Sequence, residues 1–376
     1  MWERVLTILR KEFRSVFRDP RMRMVIFGVP ILQTLIFGYA VTMDVRHVQL
    51  VVVDRDNTPE SRALVSRFTG SGYFDALLQT NDERQAQALI DAAKAAAILQ
   101  VNAGFEENLR AGKPAQVLLT VDGADSNTAR LVLNYSAVIT ASYGDSIVLD
   151  QASRRLGRPV AVGSVDLRPR AWFNENLESR NYFVPGVMAI LVMLISLMLT
   201  GMAVVREKEA GTIEQIMVTP IRRTEFIIGK CAPFAVIGFI DVALVTAVGV
   251  YWFDIPIRGS FPLLLLGTSF FLLSTLGIGL FISTVSHTQQ QAMMTTFFFF
   301  FPAMLLSGFI YPIANMPTVV QWLTYLNPLR YFLVIIRSVF LKGVGLGILW
   351  PQMLALLVIG ICVMGFAVGR FRKTVA

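Results

Sequence analysis

The sequence predicts a polytopic α-helical membrane protein. It would have six transmembrane helices plus re-entrant outer helices, with an inserted α/β extracytoplasmic domain. Three observations lead there. Hydrophobic residues make up 54% of the chain and charged residues only 16%, against about a quarter charged in soluble domains. Six stretches reach the roughly 20 mostly apolar residues that cross a bilayer core. The polar residues gather in one block between the first and second of these stretches. An ordinary soluble enzyme, a disordered chain and a nucleic-acid binder are thereby excluded, and the lipid bilayer is the first partner expected.

Residues 1–23 hold Arg4, Arg10, Lys11, Arg14, Arg18, Arg21 and Arg23. Trp2, Val5, Leu6, Leu9, Phe13, Val16 and Phe17 recur on one face at helical spacing. An amphipathic helix lying in the cytoplasmic membrane interface is expected, ended by Asp19-Pro20. Residues 24–43 then form span one. Its full length, the long basic stretch before it and the lack of a small-x-small cleavage site make it an anchor, not a signal peptide. The other spans are expected at Phe183–Val205, Phe226–Phe253, Phe261–Val285, Ala292–Tyr311 and Leu349–Gly369. The third of the six is longer than needed and has an alternative start near Pro233.

A further apolar segment, Val319–Phe340 within residues 314–342, is interrupted by Asn327-Pro328 and carries Arg330 and Arg337. Proline stops a helix there, and two arginines are costly at the bilayer centre. Two short helices dipping into the outer face are therefore favoured over a seventh span. Lys and Arg in short loops set orientation. They crowd residues 1–23, the loop 206–225 and the tail after Gly369, whereas Asp254–Ser260 holds only Arg258. Both termini are placed in the cytoplasm and residues 44–181 outside. Arg330, Arg337 and Lys342 run against this rule.

Residues 44–181 contain fifteen basic and seventeen acidic residues, whereas the rest of the chain carries a net charge of +10. The block reads as alternating strands and helices. Strands are expected at Val48–Val53, Phe74–Gln79, Ala96–Val101, Gln116–Val121 and Val160–Arg168. Helices are expected at Pro59–Phe68, Asp82–Lys94 with Asn81 as cap, Phe105–Arg110 and Ser126–Leu156. Asp54, Asp56, Asp122 and Asp125 fall at strand ends. Carboxylates there bind a cation or cap the next turn, and capping is favoured because such side chains bond nearby amides.

Other chemistry is sparse. Cys231 and Cys362 lie in apolar runs outside any C-x-x-C motif, and His47 and His287 are the only histidines. No metal site, no catalytic residue and no disulfide framework are expected. Asp241 sits near the middle of span three. It marks a substrate or ion pathway, or it is a hydrogen-bonded or protonated group between packed helices. Phe297–Phe301 is a run of five phenylalanines, followed by Met304. Some of these face lipid, and Phe297, Phe301 and Met304 are candidates to line an apolar pathway. His287 and Gln289–Gln291 occupy a short inner loop, as a gate contact or a solvated turn.

The most informative stretch follows span two. Glu207, Glu209, Gly211, Thr212, Glu214, Thr219 and Pro220 lie in a loop with Ile213, Ile216 and Met217 as a short apolar face. Gly211-Thr212 can start a helix, Glu214 suits its N-terminus, and Pro220 ends it. This pattern resembles the cytoplasmic loop of ABC-2 type transport permeases, the membrane subunits of bacterial ABC exporters. The resemblance spans essentially the whole chain. It includes Phe37-Gly38-Tyr39, Asp122-Gly123 with Asn127-Thr128, Trp172-Phe173-Asn174, Thr288–Gln291, Leu306–Phe309, Asn315-Met316-Pro317 and Asn327–Arg330. It is closest in kind to the drug-export members with a large outer domain.

The resemblance implies a permease dimer, of identical or paralogous chains, above two ABC ATPase subunits. ATP and Mg would be held by those partners, because this chain has no G-x-x-x-x-G-K-[ST] loop and is expected to bind no cofactor. The seven loop residues would then form the ATPase-coupling element. A periplasmic adaptor is a further expected partner, and the bacterial inner membrane the expected location. Two alternatives stand beside this. A permease for a lipid-linked glycan or lipid is disfavoured by the large outer block. A sensor would need an inner output domain, and residues 1–23 are too short to be one.

Overall fold

The computed structural model describes residues 2–18, 20–40, 47–158, 172–174, 178–212 and 223–370. These belong to two compact units, one of Met43–Pro169 and one of Met1–Thr42 with Arg170–Ala376. The expected strand Val160–Arg168 lies outside the described residues.

The chain begins with helix α1 (Trp2–Arg18), α2 (Pro20–Arg23), one π-type turn (Met24–Gly28) and α3 (Val29–Ala40). The break between α1 and α2 falls where Pro20 removes a backbone donor. The apolar part, Met24–Tyr39, is shorter than the expected span. It reaches about 24 Å at 1.5 Å per residue, against a hydrocarbon layer of about 30 Å.

The unit Met43–Pro169 contains strands β1 (Val48–Asp54), β2 (Phe74–Thr80), β3 (Ala97–Val101) and β4 (Val117–Val121), in the order β2-β1-β3-β4. β1 pairs in parallel with β2 and β3, and β4 runs antiparallel to β3. β1 is buried over nearly its whole length because both sheet faces are covered, which is why it reads as an apolar run rather than an alternation. One face packs Leu50, Val52, Leu99 and Val101 with Leu64 and Phe68 of α4 (Pro59–Thr69), with α6 (Phe105–Arg110) and with Val132 and Tyr143 of α7 (Ser126–Leu156). The other packs Val51, Val53 and Ile98 with Ala86 of α5 (Glu83–Asp91).

The cap of α5 is Asp82, not Asn81: its carboxylate accepts the Arg84 amide at 2.9 Å. α5 also stops earlier than expected, at Asp91, because Ala93 adopts a left-handed φ of 53°.

The remaining helices are α8 (Ser179–Glu209), α9 (Arg223–Tyr251), α10 (Phe261–Val285), α11 (Gln289–Leu305), α12 (Thr318–Thr324), α13 (Pro328–Arg337) and α14 (Leu346–Arg370). Four of them, α8, α9, α10 and α14, are long and apolar enough to cross a membrane. A fifth crossing exists if α12 and α13 count as one despite a 78° bend between them. The bend has a local cause. Pro328 opens α13, and Asn327 caps it by accepting the Leu329 amide at 3.1 Å. Asn327 also donates to the Ala303 carbonyl at 2.6 Å, near the end of α11. α11 itself has only 17 residues, shorter than the expected Ala292–Tyr311 span.

α8 is the central helix. Of its apolar window 78% is buried, against 22% for peripheral α14. Close approach uses glycine. A Cβ on Gly279 of α10 would stand 2.9 Å from Thr200 Cβ and 3.1 Å from the Leu197 carbonyl of α8, so a side chain there would force the helices apart.

Candidate functional site

The 31 residues of α8 span about 46 Å, which is more than the hydrocarbon layer needs. Its last turn, Arg206-Glu207-Lys208-Glu209, therefore extends beyond the apolar core of the unit. Each of its last three side chains grips another helix.

Glu207 is the centre. One carboxylate oxygen accepts Lys230 Nζ of α9 at 2.7 Å and Lys11 Nζ of α1 at 3.2 Å. The other accepts the Thr212 hydroxyl. The Glu207 and Lys230 side chains are only 9% and 4% exposed, whereas Lys11 is 63% exposed. The inner pair is thus shielded from solvent, and the outer one contributes little by itself. A buried carboxylate is tolerable here because several donors satisfy it at once.

Lys208 reaches in the other direction. Its ammonium donates to the carbonyls of Thr284 and Ser286 at 3.0 Å each and of Ser283 at 3.4 Å. These are terminal acceptors of α10, which a cation both satisfies and complements through the helix dipole. Ser283 Oγ accepts the Val204 and Val205 amides of α8 at 3.0 and 3.2 Å. Glu209 accepts the backbone amide of Gln289 at 2.8 Å and its side-chain amide as well. Gln289 opens α11, whose cap is Thr288, so an acid sits where the dipole favours it.

One helical turn thus ties α8 to α1, α9, α10 and α11. Gly211, with φ +68°, closes α8 in the left-handed conformation, so it ends this helix and does not only begin a next one. Of the expected coupling residues, Glu207, Glu209 and Thr212 face partners in this chain. Glu214, Thr219 and Pro220 lie outside the described residues.

Sequence reasoning missed Lys230 as a partner. The signal was present, since a lysine in an apolar helix requires an acid.

The pathway candidates occupy separate settings. Asp241 is fully enclosed in α9, and both carboxylate oxygens lack a hydrogen-bond partner among the described residues. The Phe297 and Phe301 rings stack at 6.0 Å on α11, where Phe298 and Phe301 are exposed and Phe300 is buried. Met304 packs against the helical core.

The strand-end aspartates act as caps. Asp54 accepts the Asp56 and Asn57 amides and the Ser61 hydroxyl. Asp56 accepts the amides of Gly104, Phe105 and Glu106 at 2.7, 3.1 and 3.0 Å, and the Thr58 hydroxyl at 2.6 Å. Desolvation opposes ionisation of Asp56, but these bonds outweigh it and hold the carboxyl below its ordinary range. Asp122 accepts the Ala124 amide. Asp125 is lowered chiefly by the Thr128 hydroxyl, then by the Asn127 and Thr128 amides.

Comparison with known proteins agrees with the helical plan. The sequence profile of the ABC-2 family transporter proteins matches residues 21–368. The chain is 32% identical over 375 residues to the probable multidrug ABC transporter permease YbhR of Escherichia coli K12, covering all of both chains. It is 32% identical over 344 residues to the probable multidrug ABC transporter permease YbhS of the same strain, covering 91% of this chain and 89% of that one. The linearmycin resistance permease protein LnrN of Bacillus subtilis is 22% identical over 346 residues, covering 88% and 89%. With its bundle of apolar helices and a match over nearly its whole length, the chain belongs to the ABC-2 family of transporter permeases.

Proposed function

We propose that this chain is the membrane-spanning permease subunit of an ABC exporter that moves hydrophobic drugs or similar small molecules out of the cytoplasm or inner leaflet. ATP and Mg are held by separate ATPase subunits, and the chain itself catalyses nothing. A second permease, identical or paralogous, completes the membrane dimer; relatives named YbhR and YbhS in one strain favour a paralogue. Relatives named for multidrug transport and for linearmycin resistance favour drug-like cargo. The membrane plan is six crossings in the bacterial inner membrane, both termini inside, and residues 44–181 outside, where a periplasmic adaptor can meet them.

The observation that carries the reading is the Glu207–Lys230–Lys11 cluster at the end of α8, with Lys208 and Glu209 beside it. A push on residues 213–220 by the ATPase enters α8 directly. It reaches α1, α9, α10 and α11 through short, charge-assisted bonds, which hold geometry better than neutral ones. The ATPases then bias a two-state arrangement of the dimer. Phe297, Phe301 and Met304 on α11 and Asp241 on α9 are the pathway residues of this scheme.

The test is purification of the tagged chain from its native membrane in mild detergent, with ATP hydrolysis measured. A P-loop subunit should co-purify and be lost on Glu214→Lys. Persistent absence of any ATPase across mild conditions would overturn the reading. A cysteine placed at Thr120 tests the topology separately. It should react with an impermeant maleimide added outside, and reaction from the inside alone would reverse the plan.

A further inference from the structure

We infer that Arg337 is the phosphate seat of a bound anionic phospholipid. This rests on the membrane placement of the chain and not on its cargo. Arg337 ends α13. Its guanidinium carbon stands 3.7 Å from the centre of the Tyr182 ring and 6.0 Å from that of Phe309. Its Nε and Nη2 atoms are buried and have no hydrogen-bond partner among the described residues. These two N–H groups point the same way and form the planar fork that matches two oxygens of a phosphate or carboxylate. Aromatic faces favour the cation, but they cannot accept both in-plane hydrogens. A buried charge of this kind requires an anion.

Among the described residues, none offers a carboxylate to these two atoms. Glu178, close in sequence to Tyr182, is engaged by Arg180 at 2.8 Å. From residue 255 to residue 376 there is no acidic residue at all, while Arg258, Arg330, Arg337 and Lys342 all fall in that stretch. Three of these cations lie on or against α13 and the turn that follows it. Arg330 lies two turns earlier on α13, 4.0 Å from the Tyr325 ring. The Arg258 amide bonds the Phe340 carbonyl at 3.1 Å, and Lys342 stands 5.9 Å from the Phe173 ring. An anion from outside the chain fits this seat.

Its source is argued from the surroundings. α12 and the turn after it expose Val319, Trp322, Leu323, Tyr325 and Leu326. Aromatic and aliphatic side chains beside cations are the pattern of the membrane interface, where lipid phosphates lie. An acyl chain along that surface places its phosphate at the level of the arginines. Tyr182 is partly exposed and covers one side of the seat, whereas Gly186 and Phe309 close the other. A Cβ on Gly186 would lie 2.5 Å from Phe309 and 3.3 Å from Arg337 Nη2. A zwitterionic lipid binds less well, because its choline meets the surrounding cations.

The test uses the full permease complex, delipidated in mild detergent. It is titrated separately with phosphatidylglycerol, phosphatidylcholine and inorganic phosphate. Retained lipids are counted by native mass spectrometry, and thermal unfolding is followed in parallel. Phosphatidylglycerol should remain bound and raise the unfolding temperature, and Arg337→Gln should weaken its binding about tenfold. Arg337→Lys keeps the charge and removes the fork, and should lose most of the same affinity. Unchanged phosphatidylglycerol affinity in either folded variant overturns the assignment. Equal stabilisation by inorganic phosphate alone overturns the lipid as its source.

Discussion

Replacing Glu207 by Gln offers the sharpest test of the charged turn. The substitution keeps shape and removes the negative charge from a cluster whose inner partner, Lys230, is 4% exposed. Breaking a buried pair from one side costs about 3–5 kcal/mol. The loss of the Lys11 contact adds little, since that side chain is 63% exposed. Lys230→Met should cost less, because Glu207 keeps Lys11 and the Thr212 hydroxyl. The double variant Glu207→Leu with Lys230→Met should recover most of the stability, as apolar replacements of buried pairs do. It should not recover coupling, because the charged link between the end of α8 and α9 is then gone. The assay is thermal and denaturant unfolding of the purified complex, with substrate-stimulated ATP hydrolysis measured on the same samples. A Glu207→Gln variant within about 1 kcal/mol of wild type, the value of an exposed pair, would show that the cluster is solvated. A double variant with full coupling would refute its role in transmission.

Three further outcomes follow from the geometry. Asp56→Ala removes the acceptor of three α6 amides and should cost about 1 kcal/mol, as a lost N-cap does; amide exchange at Gly104–Glu106 in the intact chain should rise, and unchanged protection there would contradict the cap. Because the Asp56 carboxyl is held below its ordinary value of 3.8 in the fold, its contribution is present above that pH and is lost as pH falls through the lower folded value; Asp56→Asn should remove that acid-dependent part. Gly279→Val should destabilise the α8–α10 contact by about 1–3 kcal/mol through overpacking, read as a lower unfolding temperature, and a variant melting with wild type would mean the helices are not so close. Asp241→Leu should leave stability equal or higher, since an enclosed carboxyl without partners among the described residues is replaced by an apolar group, while transport falls; transport of every substrate at the wild-type rate would make Asp241 a packing residue only.

How far the sequence could be read depended on whether the determining interactions are local. The helix Phe261–Val285 has the expected bounds because a long apolar run must satisfy its backbone internally in a bilayer. Phe105–Arg110 and Ser126–Leu156 likewise have the expected bounds, the first closed by Gly112 and the second opened by Asp125. β1 was readable because β-branched residues crowd one short run. The short α11 was not, because its stop depends on a turn at Leu306–Gly308 and on Asn327 reaching across to Ala303. The shift of the α5 cap from Asn81 to Asp82 is a choice between adjacent good caps that local propensity does not resolve.

The site divides the same way. Hydropathy and the acidic loop pattern were enough to bring Glu207, Glu209, Gly211 and Thr212 into view as residues of the loop after span two. Composition and local spacing determine that a helix forms there, and that its charged end lies outside the apolar layer. They do not determine which charges meet. Glu207 finds Lys230 and Lys11 at sequence separations of 23 and 196 residues, and that pairing exists only because α9 packs on α8 and α1 packs on α9. Glu207 and Glu209 face inward, to helices of their own chain. Arg337 is similar. Its cost in the membrane was visible in the sequence, but the ring that covers it comes from α8, 155 positions earlier. Pairwise electrostatics in a low-dielectric interior depend on distance and enclosure. Only the packed helices provide those.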